Sequence, residues 1–260
     1  MDWGMKNRLS RIIKPDTGKT VMFAVDHGYF MGPTTGLENI KTAVEPLIPH
    51  ADVLMLTRGA LRNYISPETD IPIVLRVSGG TSILSEELLH EGSIVSGDDA
   101  LRLNVAGVAY SIMVGSKFER DTLLDLAKWV DWGEENGVPV LAVTAVGKEL
   151  NKDARYLSLA CRMAAEFGAH IVKTYYCDGF EKVVETCPVP IVMAGGKKIP
   201  EKDALQMAYD AIQAGAVGVD MGRNIFQSHD PVGMMKAIKE VVHKGAKPEE
   251  ALQVFKGKQK

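Results

Sequence analysis

The chain has 260 residues, 46% of them hydrophobic and 24% charged, with a formal net charge of −3 at pH 7. That is globular composition with length enough for a large core, and its bulk charge gives no reason to expect nucleic acid or an anionic membrane as a partner. The longest mostly apolar run, near 105–114, is far too short to span a bilayer.

Eight short apolar runs alternate with helical patterns: 20–26, 52–57, 73–77, 108–114, 138–144, 170–175, 189–194 and 217–221. Amphipathic stretches lie between them. The pattern predicts helices over 37–47, 121–136, 153–167, 201–214 and 232–243, with short ones near 61–64 and 180–184. The 121–136 stretch puts Leu123, Leu126, Ala127, Val130 and Gly133 on one face. Pro200, followed by Glu201 and Asp203, is a helix start: proline in the first turn and acids at the positive end of the dipole. Gly137 and Gly168 sit where helices should stop. The connection around 79–97 is irregular. Residues 1–18 read as a short N-terminal segment and 245–260 as a polar, frayed tail.

Near-continuous apolar strands alternating with helices mean a parallel sheet covered by helices, and eight of them close a (β/α)8 TIM barrel. An open doubly wound sheet would more often show about six strands and a glycine fingerprint after the first, which is absent. No linker or repeat divides the chain, so one barrel domain over 1–260 is expected. The first nine residues lack the apolar core of a signal peptide, and Cys161, Cys177 and Cys187 show no metal-ligand spacing. Both fit a reduced cytosol, and a cytoplasmic protein is expected.

The run at 170–175 holds Lys173 among β-branched and aromatic neighbours. A lone ammonium is costly to bury, and desolvation lowers the pKa of such an amine and makes it nucleophilic toward carbonyl carbon. The plainer alternative is a lysine that snorkels to water from the strand end.

Chemistry in this fold lies at the carboxyl ends of the strands. The ends carry Asp26-His27-Gly28, Thr57-Arg58-Gly59, Arg76-Val77-Ser78, Ala145-Val146-Gly147-Lys148, Ala194-Gly195-Gly196-Lys197 and Met221-Gly222-Arg223-Asn224. Glycines after the seventh and eighth strands occupy the place where barrels of this kind hold a phosphate. Gly195, Gly196 and Gly222 would let backbone N–H groups approach the anion, and Arg223 would add charge-assisted hydrogen bonds. Alternation puts Thr20, Met22, Ala24 and Asp26 on one side of the first strand, with Asp26 at the rim near Lys173. His27 is either a general acid or a satisfied core histidine. Lys148 is the competing amine, but its place past a strand end makes solvation easier. Arg58 and Ser78 complete the rim residues expected to meet substrate.

The segments Ala24-Val25-Asp26-His27-Gly28, Ile171-Val172-Lys173-Thr174-Tyr175-Tyr176, Ala194-Gly195-Gly196-Lys197 and Met221-Gly222-Arg223-Asn224-Ile225-Phe226 together resemble the class I, Schiff-base family of archaeal-type fructose-bisphosphate aldolases. Asp2-Trp3-Gly4-Met5, Gly32-Pro33-Thr34-Thr35-Gly36-Leu37 and Cys187-Pro188-Val189-Pro190-Ile191-Val192 look more like its quorum-signal-degrading thiolase branch. The resemblance covers nearly the whole chain. It implies a (β/α)8 barrel, Lys173 as the imine lysine, Asp26 as its acid/base partner, a phosphate site at the two glycine loops and a homo-oligomer, a decamer of two stacked rings. The aldolases carry a tyrosine after the fifth strand, in a Tyr-Pro-Arg-Gly run, where this chain has Ala145-Val146-Gly147-Lys148. The implied reaction is acetyl transfer from 3-hydroxy-5-phosphonooxypentane-2,4-dione to coenzyme A, with dihydroxyacetone phosphate as the other product. Class I cleavage of fructose bisphosphate is the alternative, and a sugar-phosphate-binding protein without turnover a third. A lysine imine is an electron sink by itself, so no metal is expected.

Overall fold

A computed structural model describes residues 1–144 and 153–257. Eight parallel strands close a barrel: β1 (Thr20–Ala24), β2 (Val53–Thr57), β3 (Ile73–Arg76), β6 (Gly107–Ile112), β7 (Val140–Thr144), β8 (Ile171–Tyr175), β9 (Ile191–Ala194) and β10 (Gly218–Met221). The two-residue strands β4 (Ser78–Gly79) and β5 (Gly92–Ser93) pair antiparallel in the connection that the sequence shows as irregular. The barrel closes where β1 meets β10, with Thr20 opposite Gly218 and Phe23 opposite Met221. Gly218 is required there by space: a Cβ would come within 2.0 Å of the Thr20 carbonyl oxygen.

Each barrel strand is buried on both faces. One parity points to the surrounding helices, where Val21, Phe23, Leu54, Leu56, Val172, Val219 and Met221 join the large outer core. The other parity points inward, where Met22, Val53, Met55, Val74, Ala109, Leu141, Ile171 and Val192 fill the barrel. The helix Trp3–Ile12 underlies the interior from the amino-terminal end, and Ile12 belongs to that inner cluster. Asp2 caps it by accepting from the Met5 N–H at 2.7 Å.

The helices follow the sequence pattern closely: Glu119–Asn136, Ala154–Glu166, Glu201–Gln213 and Pro231–Lys244. The expected 37–47 helix is instead a short helix, Ile40–Val44, that tightens into a 3-10 turn over Glu45–His50, because Pro46 and Pro49 each remove a backbone donor. The tail expected to fray carries a helix, Pro248–Phe255, whose Ala251 and Phe255 are buried. No described helix is long and apolar enough to cross a membrane.

Candidate active site

Charged side chains stand at inward positions among the apolar ones. By strand parity the inward set includes Asp26 just past β1, Arg76 on β3, Lys173 on β8 and Asp220 on β10. All four are at most 9% exposed. Two acids and two bases leave the cluster formally neutral, which makes its burial tolerable. They resolve into two ion pairs. Asp26, Arg76 and Lys173 line a cavity of about 230 Å³ together with His27, Tyr29, Glu91, Ser111, Thr144, Tyr175 and Arg223, while Asp220 is reached from it only through Lys173.

In the first pair, Arg76 Nε donates to Asp26 Oδ2 at 2.8 Å. Other atoms lock the guanidinium: Nη1 donates to Ser111 Oγ at 2.6 Å, and the Tyr29 ring lies 5.4 Å from its central carbon. Burial alone would push the Asp26 carboxyl up, but the charges of Arg76, Lys173 and His27 and the Arg76 hydrogen bond hold it at about 2. A carboxylate held that low orients and attracts; it has no proton to give near neutral pH.

In the second pair, Lys173 Nζ lies 2.8 Å from Asp220 Oδ2. The lysine is thus not alone on its apolar strand: its counterion sits on β10, two strands away, as residues of one interior layer do. The thioether of Met55 is 3.8 Å from the same nitrogen. Asp220 is the more extreme member, its side chain fully buried. Among the described residues neither of its oxygens has a well-aligned hydrogen-bond donor, so its contact with Lys173 is a pairing of charges. Burial raises the Asp220 carboxyl above its ordinary value, Lys173 pulls it back, and the neighbouring Asp26 charge raises it again.

His27 stands above Asp26, with Nδ1 3.9 Å from Oδ1 and its ring edge-on to Phe226 at 5.3 Å. Burial lowers its pKa to about 4, partly opposed by Asp26 and assisted by Lys173, Arg223 and Arg76. It is a neutral imidazole at pH 7, able to accept or relay a proton. Among the described residues its Nδ1 and the Nε of Arg223 are buried without a hydrogen-bond partner. An unpaired guanidinium nitrogen at a cavity wall is a ready donor for an anion.

The glycine loops meet beside Arg223. Asn224, fully buried, donates from Nδ2 to the Gly195 carbonyl at 2.6 Å and to the Lys197 carbonyl at 3.2 Å, and accepts from the Ile199 N–H at 2.9 Å. It ties the loop after β9 to the loop after β10. Gly196 takes φ +67°, and Gly222 is packed so tightly that a Cβ would lie 2.4 Å from the Ala24 oxygen and 2.5 Å from His27 Cε1. Lys198 is taken up by Glu201 at 2.7 Å.

Lys173, Asp26, His27 and Arg223 therefore come together, with Gly195, Gly196 and Gly222 at their edge. Two expected rim residues do not join them. Arg58 turns outward to Asp99 at 3.1 Å and is 44% exposed. Ser78 is wholly buried behind the wall, its hydroxyl donating to Glu91 at 2.8 Å and accepting from the Ser111 N–H at 3.0 Å. Lys148 lies outside the described residues. Arg76, Asp220, Asn224 and the Tyr29–Glu91 pair, joined at 2.7 Å, also build the site, and the strand-end rule assigns them no role. The signal for the first two was in the sequence: a charge at an inward position of an otherwise apolar strand.

A lysine amine in a barrel cavity beneath a phosphate-ready rim is the arrangement of an imine-forming aldolase. The family profile of DeoC/LacD family aldolases matches residues 20–228, and the chain belongs to that family of enzymes. Among curated proteins it is 56% identical over 98% of its length to the 3-hydroxy-5-phosphonooxypentane-2,4-dione thiolase of Photorhabdus laumondii, covering 88% of that protein. It is likewise 56% identical over 98% to the enzyme of the same name from Escherichia coli K12, covering 88% of it. Among solved structures, an archaeal fructose 1,6-bisphosphate aldolase superposes with a TM-score of 0.83 at 27% identity, covering 93% of this chain and 100% of that one. A Schiff-base-forming fructose-1,6-bisphosphate aldolase also gives 0.83, at 26% identity over 92% of this chain and 99% of that one.

Proposed function

We propose that this enzyme transfers the acetyl group of 3-hydroxy-5-phosphonooxypentane-2,4-dione to coenzyme A through an imine on Lys173. The observation that carries the reading is near-full-length identity of 56% to thiolases of that name, against 27% to the archaeal aldolase. The site supplies the parts. The Lys173 amine condenses with the carbonyl next to the phosphorylated carbon, while Arg223 and the loops of Gly195, Gly196 and Gly222 hold the phosphate. The thiolate of coenzyme A adds to the acetyl carbonyl. The carbon–carbon bond then breaks, its electrons pass into the iminium, and acetyl-coenzyme A leaves the enamine of dihydroxyacetone phosphate on Lys173. Protonation of that enamine and hydrolysis of the imine release the second product. Asp26, anchored by Arg76, supplies a fixed negative charge beside the iminium, and neutral His27 is placed to relay protons.

The replacement of the aldolase tyrosine run by Ala145-Val146-Gly147-Lys148 favours acetyl transfer, which needs no acid/base on a hydroxyl across the broken bond. Cleavage of fructose bisphosphate is the second reading and shares the same enamine. The enzyme is further proposed to work in the cytoplasm as a homo-oligomer of single-barrel chains, as the resemblance read from its sequence implies. The separating experiment supplies each substrate to purified enzyme and follows acetyl-coenzyme A and glyceraldehyde 3-phosphate. Acetyl-coenzyme A from the dione, with slow or no cleavage of fructose bisphosphate, is expected. Brisk coenzyme-independent glyceraldehyde 3-phosphate, with no acetyl-coenzyme A, would sink the proposal and promote the aldolase.

A further inference from the structure

Imine formation needs an acid. A carbinolamine loses its hydroxyl as water only if a proton reaches that oxygen, and the donor must stand beside the amine that carries the carbon. Two described carboxyl groups interact by charge with Lys173, Asp26 and Asp220. Asp26 is occupied: Arg76 donates to it at 2.8 Å and is itself fixed by Ser111. Asp220 stands in the opposite condition. Its Oδ2 is 2.8 Å from Lys173 Nζ, its side chain has no exposure, and no other described donor is aligned on either oxygen. Among the described residues no hydrogen-bond donor other than the reacting amine faces it, and burial favours its neutral form against the charges of Lys173 and Arg76.

We propose that Asp220, and not Asp26, is the catalytic acid that carries a proton from the Lys173 ammonium to the departing carbinolamine hydroxyl. The atoms balance in three moves. The ammonium gives one proton to the Asp220 carboxylate, leaving a neutral amine and a carboxylic acid. The amine adds to the substrate carbonyl, and a proton passes from the new nitrogen centre to the alkoxide, giving the neutral carbinolamine. Asp220 then protonates the hydroxyl as the C–O bond breaks. Water leaves, and the iminium remains paired with the Asp220 carboxylate. The reverse sequence hydrolyses the product imine. The layout suits this economy: the proton released on activating the amine is the one needed to expel water, and it passes between two side chains 2.8 Å apart.

The proposal rests on the Lys173 imine and is tested with dihydroxyacetone phosphate alone, so it does not depend on which carbon–carbon bond the enzyme breaks. Borohydride trapping of the Lys173 adduct is timed for the wild type, Asp220→Asn, Asp220→Glu and Asp26→Asn from pH 5 to 8. Asp220→Asn should form the imine roughly 10²- to 10⁴-fold more slowly, the usual loss for a positioned acid. Asp220→Glu, which keeps a carboxyl, should recover part of the rate, and Asp26→Asn should slow imine formation less than Asp220→Asn does. Binding of glycerol 1-phosphate, which cannot form an imine, should change only a few-fold in Asp220→Asn. Should that variant not fold, Asp220→Ala in the presence of acetate replaces it, and acetate is expected to restore trapping there. A wild-type rate in Asp220→Asn, a larger loss in Asp26→Asn, or failure of acetate to restore Asp220→Ala overturns the assignment. No adduct on Lys173 in the wild type would instead remove the imine reading beneath it.

Discussion

Replacing Arg76 by methionine isolates the strongest electrostatic element of the site. In the native protein Asp26 is held at about 2 against an ordinary 3.8. That gap is worth about 2 kcal/mol of stability at neutral pH, after burial has already taken its share. Without Arg76 the largest part of that gain disappears, and only the charges of Lys173 and His27 are left to offset the burial penalty. The loss should then reach about 3–5 kcal/mol, the range for stranding one partner of a buried pair. Its pH dependence has a fixed sign. A depressed carboxyl contributes stability above its unfolded pKa and loses it as pH falls toward the folded value, so the native advantage is full above about pH 5 and fades between 4 and 2. Arg76→Lys keeps the charge but not the fork that reaches both Asp26 and Ser111, and should fall between the two. Urea unfolding followed by circular dichroism at pH 7, 5 and 3 reads these differences. A loss below 1 kcal/mol at pH 7, or one undiminished at pH 3, would refute the pairing as the reason for the acidity of Asp26.

Lys173→Met conserves volume, yet it leaves Asp220 buried without its counterion. Keeping that carboxyl neutral should cost about 4 kcal/mol at pH 7 and under about 2 at pH 5; Asp220→Asn in the same chain should remove the pH dependence, and parallel unfolding curves at the two pH values would contradict it. Arg223→Ala should weaken phosphorylated ligands about ten- to a hundredfold, the value of a lost charge-assisted hydrogen bond, and their unphosphorylated analogues far less, as titration calorimetry can measure. Gly222→Ala should cost about 1–3 kcal/mol and most of the activity, because the new methyl meets the Ala24 carbonyl and His27 where backbone cannot yield; an unchanged melting temperature would show that the β1 and β10 ends have more room than their packing indicates.

The barrel was legible because its strands are buried on both faces and so stand out as continuous apolar runs; each observed strand begins within two residues of the predicted start. The N-terminal helix at Trp3–Ile12 was less so, since its cap at Asp2 is clear but only Met5 and Ile12 are buried. The last helix was readable: Pro248 followed by Glu249 and Glu250 is the same start signal that marks Pro200, masked there by the lysine-rich end. At the site, the rule that chemistry sits at strand ends found Lys173, Asp26, His27 and Arg223. It also named Arg58 and Ser78, which share the ends but leave the cavity, one drawn outward by Asp99 and the other held by Glu91. It passed over Arg76 and Asp220 because their roles depend on partners on other strands. Parity alone puts a charged residue inside, but only the closed barrel shows which opposite charge it meets.

The central claim is that Lys173 carries the substrate while coenzyme A removes its acetyl group. The most direct measurement adds borohydride to enzyme and 3-hydroxy-5-phosphonooxypentane-2,4-dione, with and without coenzyme A, and locates the adduct by peptide mass spectrometry. Without coenzyme A, Lys173 should bear the intact five-carbon dione. With it, the same lysine should bear the three-carbon dihydroxyacetone phosphate unit while acetyl-coenzyme A accumulates. An adduct on another lysine, Lys148 above all, or a three-carbon adduct formed equally fast without coenzyme A, would contradict it.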